Sequence, residues 1–198
     1  MAVNLGYAPA VFSRPMPVAF SLLLLTAVTQ LAADLRRLDG SLYHLGTEGF
    51  PEWQEFVGKK PHGRRLEIHF TAQPNASAQT LLLHQSDVKQ SWQVQLNGRR
   101  LGLLVTQETS LVHALTIPPG TLRDGTNTLA ILPPPAVDDI VVGDFRLAST
   151  PLDETLSQAS LDLQVVDSEA GAPLPCRLTI VEESGALAAL HPTTTNHA

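Results

Sequence analysis

Three stretches decide how this chain folds: VKQSWQVQLNGRRLGLL at residues 88–104, LRDGTNTLAIL at 122–132 and DDIVVGDFRL at 138–147. In the first, Asn97-Gly98 is a two-residue turn signal, because a type I′ hairpin needs positive φ at both central positions and Asn-Gly tolerates that best. The turn predicts Val94 opposite Leu101 and Trp92 opposite Leu103, which puts the apolar residues on one face and Gln93, Gln95 and Arg100 on the other. In the second, Asp124-Gly125 turns into a strand at 128–131 that Pro133-Pro134-Pro135 stops. In the third, Ile140 and Val142 share a face that Phe145 and Leu147 rejoin only after a one-residue shift, making Gly143 a candidate bulge.

The same signals continue outward. Leu66, Ile68 and Phe70 alternate with Glu67 and His69 as in a half-buried strand, and Leu81-Leu82-Leu83 reads as a strand buried on both faces. Another runs over 111–117 and ends at Pro118-Pro119-Gly120. About seven short strands with no helical period between them predict an all-β chain, an antiparallel jelly-roll-like β-sandwich over residues 64–149. Residues 34–63 scatter Tyr43, Phe50, Trp53 and Phe56 among Gly and Pro without a period, and read as an irregular lead-in stapled down by its aromatics. The polar stretch 150–158 reads as a linker and 159–190 as a partial second β-sandwich domain, with too few strands for a core of its own. Residues 191–198 read as a disordered tail.

Arg14, the apolar run 18–28 and Leu31-Ala32-Ala33 form the three parts of a secretory signal peptide over residues 1–33, which places the chain outside the cytoplasm, secreted or periplasmic. The run is short for a membrane span, and no membrane association beyond this segment is expected. With 13 Lys+Arg against 19 Asp+Glu the net charge is -6, and the arginines occur as isolated pairs such as Arg64-Arg65 and Arg99-Arg100. A duplex partner needs a contiguous basic surface, so nucleic acid is excluded as a partner. The single cysteine, Cys176, forbids an intrachain disulfide and reads as a small buried hydrophobe.

Catalytic signals are missing. There is no Gly-x-Ser-x-Gly elbow, no phosphate-cradling glycine loop, no framed carboxylate pair, and the seven histidines lack zinc-site spacing. Asp138, Asp139 and Asp144 are candidate ligands for calcium, which takes six to eight oxygens, although their spacing matches no defined loop and solvated turn carboxylates are the plainer reading. No other cofactor is expected. Tyr43, Trp53 and Phe56 are candidate sugar platforms, since flat rings bury the apolar faces of sugars; Trp92 falls on the apolar side of its hairpin and belongs to the core. Asn75-Ala76-Ser77 is a glycosylation sequon.

The series VKQSWQVQLNGRRLG, LRDGTNTLAI and DDIVVGDFRL, followed by VVDSEAGAPLPCRLTIVEESGAL, resembles the N-terminal accessory region of secreted bacterial metallohydrolases of the PHP (polymerase and histidinol phosphatase) superfamily. That resemblance, over residues 88–190, implies a galactose-binding-like jelly roll followed by a domain like the carboxypeptidase regulatory fold. The family's catalytic domain opens with a His-x-His metal pair that is absent here, so the resemblance carries over no catalytic residue and implies accessory domains alone. The reading is therefore a noncatalytic exported binding or accessory module for a glycan, a cell-envelope component or a companion hydrolase domain. Its rivals are the front end of a secreted metal-dependent hydrolase and a purely structural envelope subunit.

Overall fold

The Asn97-Gly98 turn has φ of 53° and 79°, the left-handed pair that a type I′ hairpin demands, and it joins β4 (Gln93–Leu96) to β5 (Arg99–Leu103). This comes from a computed structural model that describes residues 35–157, 164–175 and 177–190; the stretch expected to be a signal peptide, Cys176 and the stretch expected to be a tail lie outside the described residues. The turn is the tip of a long folded ribbon. Working back from it, β3 (Gln79–Ser86) pairs with β6 (Leu111–Ile117), β2 (Leu66–Ala72) with β7 (Gly125–Leu132), and β1 (Leu35–Leu45) with β8 (Ile140–Ala148), all antiparallel. Rolling the ribbon up adds the lateral pairs β3·β8 and β4·β7, giving two four-stranded sheets in the orders β1-β8-β3-β6 and β2-β7-β4-β5. That is a jelly roll, and the all-β sandwich expected from the turns is what the chain forms.

The inner faces follow the period of two. β2 buries Leu66, Ile68, Phe70 and Ala72 and exposes the residues between, while Trp92, Val94, Phe145, Leu83 and Ile131 fill the space between the sheets. Each fully buried side chain of this size contributes about 1.5–3 kcal/mol by leaving water.

Three expectations need correction. The lead-in is not irregular: its first third is β1, an eleven-residue edge strand whose pairing with β8 slips twice, between Arg37 and Asp39 and between Asp39 and Leu42. The hairpin register also differs, because Leu101 is squeezed out between the pairs Gln95↔Arg100 and Val94↔Gly102. That one-residue bulge turns Leu104 inward, 3% exposed, and leaves Leu103 outside at 38%. In β8 the slip falls at Asp144 (φ 43°), one residue after Gly143, and restores Phe145 and Leu147 to the core face.

The proposed linker holds a helical turn, α1 (Leu152–Leu156), whose Thr155 hydroxyl donates to Thr80 Oγ1 at 3.1 Å. Farther on, the described residues pair only through single bridges, and the last of these docks on the sandwich: Val112 N–H donates to Leu187 O and Leu187 N–H to Ser110 O, covering the free edge of β6. Ala186 buries against Leu82, Val112 and Ala148 on the outer face of that sheet, which explains why β3 is apolar on both sides. No helix among the described residues is long and apolar enough to cross a membrane.

Candidate functional site

Loops cluster at the two ends of the roll. At one end lie the connections 46–65, 87–92, 104–110 and 133–139, and this end holds the aromatic residues singled out above. Phe56 is buried and stacks on His44, centroids 4.0 Å apart. Trp53 donates its indole N–H to Asp139 O at 3.1 Å, and the Lys89 ammonium sits 3.7 Å over its ring while pairing with Glu52 at 3.1 Å. Tyr43 on β1 donates its hydroxyl to Asp39 Oδ2 at 2.9 Å and meets His62 edge-on. Burial pushes the Asp39 carboxyl up, but the Ser41 N–H and the Tyr43 hydroxyl outweigh it and hold the group below its usual range; Asp39 in turn raises the Tyr43 phenol. These rings fasten the long β1–β2 connection to the sandwich: Phe56 is buried, Lys89 covers one face of Trp53, and Tyr43 is held through its hydroxyl.

The three aspartates do not converge. Asp138 is buried, its Oδ2 accepting from Trp92 Nε1 at 2.8 Å, Gln90 N–H at 2.9 Å and Lys89 N–H at 3.2 Å, while its Oδ1 has no partner. Burial is the largest influence on this carboxyl and raises its pKa. Asp139 points to His44 Nε2 at 2.9 Å and accepts the Glu52 N–H at 2.7 Å. Asp144 sits roughly 15–20 Å farther along β8, between Arg37 at 2.9 Å and Arg146 at 3.3 Å, approached by charge rather than along hydrogen-bond directions. A calcium cage needs its oxygens within about 2.6 Å of one point, so these three carboxylates do not supply one. Among the described residues no cluster of three or more His, Cys, Asp or Glu side chains is arranged to hold a metal.

The opposite end was missed. Here the connections 73–78, 97–98 and 118–124 and the exit at Ser149 surround a cleft of about 230 Å³, lined by Arg36, Gln73, Gln79 and Ser149 around Ala72, Pro74, Leu122 and Leu147. Buried asparagines brace it. Asn75 donates to Ser77 O and Pro118 O, both at 2.9 Å, and accepts the Leu122 N–H at 2.8 Å, which fixes the cleft floor. Asn97 donates to Thr121 O at 2.8 Å and Asn127 Oδ1 at 2.7 Å, and accepts Thr128 N–H at 3.0 Å. Asn127 closes its own turn through Arg123 N–H and O and Gly125 O. The Asn-Gly and Asp-Gly-Thr-Asn signals therefore do more than set φ: their side chains tie three loops into one platform. The sequon is part of this frame, and Asn75, at 3% exposure, has no free amide for a glycan.

No protein-family model matches the chain, and no curated protein sequence matches it. Among solved structures it is similar to the CBM36-1 domain of a multidomain xylanase from the hindgut metagenome of Trinervitermes trinervoides, at 11% identity over 55% of this chain and 94% of that one, TM-score 0.29. It is also similar to exo-beta-1,3-galactanase from Phanerochaete chrysosporium, at 18% identity over 57% of this chain and 29% of that one, TM-score 0.30. At such identities and TM-scores, the jelly roll rests on this chain's own strand pairing.

Proposed function

We propose that the chain is a noncatalytic, exported carbohydrate-binding module whose site is the cleft at the asparagine-braced end. The observation that carries this reading is that cleft: amide, hydroxyl and guanidinium groups from Gln73, Gln79, Ser149 and Arg36 rim an apolar floor of Leu122, Leu147, Ala72 and Pro74. A sugar offers the complement, hydroxyl edges around apolar ring faces, and a floor already fixed by buried hydrogen bonds loses little entropy on binding. On the sequence resemblance, the module would serve a companion hydrolase domain by holding it to its polysaccharide. A glycan array on the full chain tests the reading, with Gln73→Ala/Gln79→Ala as the control. Binding that this double variant weakens supports it; no glycan bound, or binding indifferent to both glutamines, defeats it.

A further inference from the structure

The braced end carries a charge pattern at odds with an acidic protein. Arg36 stands on the cleft rim, Arg123 follows Leu122 of the floor, and Arg99 donates to Thr121 Oγ1 at 3.2 Å in the same connection. All three are exposed, and like Arg64 and Arg100 none of them forms an ion pair among the described residues, while Arg37, Arg65 and Arg146 each reach a carboxylate. The loops that frame this end contain one acid, Asp124, with Asp153 and Glu154 beyond in α1. Arg36 is also held: one of its terminal nitrogens donates to Thr71 O, the backbone beside the cleft wall at Ala72. A guanidinium has five N–H donors, so this one bond holds an end of the group beside the cleft and leaves donors for a planar or tetrahedral anion.

We propose that the cleft takes an acidic sugar unit, a uronate or a sulfated residue of a polysaccharide, with its anionic group seated on Arg36 and the neighbouring chain drawn along Arg123 and Arg99. This deepens, and rests on, the carbohydrate-binding reading above. An unpaired guanidinium on the rim of an apolar-floored cleft, with two more exposed arginines in the connections beyond it, gives this end a positive potential that an anionic sugar chain would meet on approach. The cleft, at about 230 Å³, is smaller than the roughly 300–1,000 Å³ of drug-sized sites and suits the end or one unit of a sugar chain rather than a broad macromolecular face.

Calorimetric titration of the full chain with a galacturonate oligomer and with a neutral galactose oligomer of equal length, at low and physiological salt, tests this. The acidic oligomer should bind tighter by roughly fivefold at low salt, as an exposed ion pair allows, and the margin should shrink as salt rises. Arg36→Gln should remove most of that margin and weaken the neutral oligomer far less than the acidic one; Arg123→Gln, which lies outside the cleft lining, should remove part of it, leave neutral binding unchanged, and guard against a folding defect at Arg36. Equal affinity for the two oligomers overturns the anion seat while sparing carbohydrate binding, and so does an acidic preference that survives both substitutions. Displacement of the galacturonate oligomer by inorganic phosphate or single-stranded DNA at matching charge overturns it in favour of an unselective basic patch. Failure of both oligomers to bind removes the carbohydrate reading together with this one.

Discussion

Trp92 Nε1 donates to Asp138 Oδ2 at 2.8 Å with both residues buried, and this bond joins the inner face of β4 to the connection that leads into β8. The same oxygen also collects the N–H groups of Lys89 and Gln90, so one carboxyl satisfies three donors, the indole fully buried and the two backbone groups partly so. Asp138→Ala strands all three and should destabilise the fold by about 3–5 kcal/mol, whereas Asp138→Asn keeps an acceptor in place and should stay within about 1–2 kcal/mol. Urea unfolding monitored by tryptophan fluorescence measures both.

The raised pKa of Asp138 adds a pH dependence whose sign is fixed. Burial makes the folded chain hold this proton to higher pH than the unfolded chain, so its contribution is complete below the ordinary carboxyl range near 3.9 and fades as pH rises through the raised value. Asparagine cannot ionise. Any advantage of wild type over Asp138→Asn in melting temperature should therefore be greatest near pH 3.5, about where the unfolded carboxyl titrates, and the variant should gain on wild type as pH climbs toward neutrality. Parallel curves across that window would refute the assignment.

Phe56 closes the far end of the β1–β2 connection by stacking on His44, which in turn meets Asp139. Phe56→Ala leaves a hole where a ring was buried, at about 3–5 kcal/mol if the site cannot collapse, but the damage should be local because the connection lies outside the two sheets. Limited proteolysis is expected to cut the variant within 46–60 while the sandwich fragment stays intact. Cleavage spread across the sheets would mean that the ring supports the whole fold.

Much of the roll was legible because its tip is local: Asn97-Gly98 needs only its own φ values, and the alternation of β2 needs only its own side chains. β1 was not, since LRRLDGSLYHL slips register twice against β8, and two slips erase the period of two that marks a strand. The bulge at Leu101 was hidden for another reason: nothing in the hairpin's own alternation marks it, and the close approach beside it, where a Cβ on Gly102 would lie 2.8 Å from Leu115 Cδ2, comes from the facing sheet. Asp138 and Asp139 are acids in a turn by sequence, and only partners about fifty to ninety residues away, Trp92 and His44, draw them inside. The cleft draws on residues from Arg36 to Ser149, so no window of sequence contains it.

Two glycines separate close approach to backbone from close approach to a movable side chain. A Cβ on Gly143 would lie 2.0 Å from Ser41 O and 2.8 Å from Leu42 Cα, so β1 itself would have to leave β8. On Gly102 the obstacle is the flexible end of Leu115. Gly143→Ala should cost about 3 kcal/mol or more and loosen the first strand, which hydrogen exchange over 35–45 would register, while Gly102→Ala should cost about 1–2 kcal/mol by overpacking. Equal losses would show that β1 yields as easily as a leucine.

Asn75 makes the sharpest case that a motif's chemistry depends on where the fold puts it. Its amide gives both hydrogens to Ser77 O and Pro118 O, and its oxygen holds the Leu122 N–H, so nothing remains to carry a sugar or to be replaced without loss. Asn75→Ala strands two carbonyls and one buried N–H at about 2–4 kcal/mol, and because Leu122 is the cleft floor, it should weaken ligand binding as well as folding. Expression in a host that glycosylates Asn-x-Ser should yield folded protein unmodified at Asn75, read by intact mass. A folded, fully glycosylated product would mean that the β2–β3 connection opens away from Pro118, and the braced platform argued for that end would fall with it.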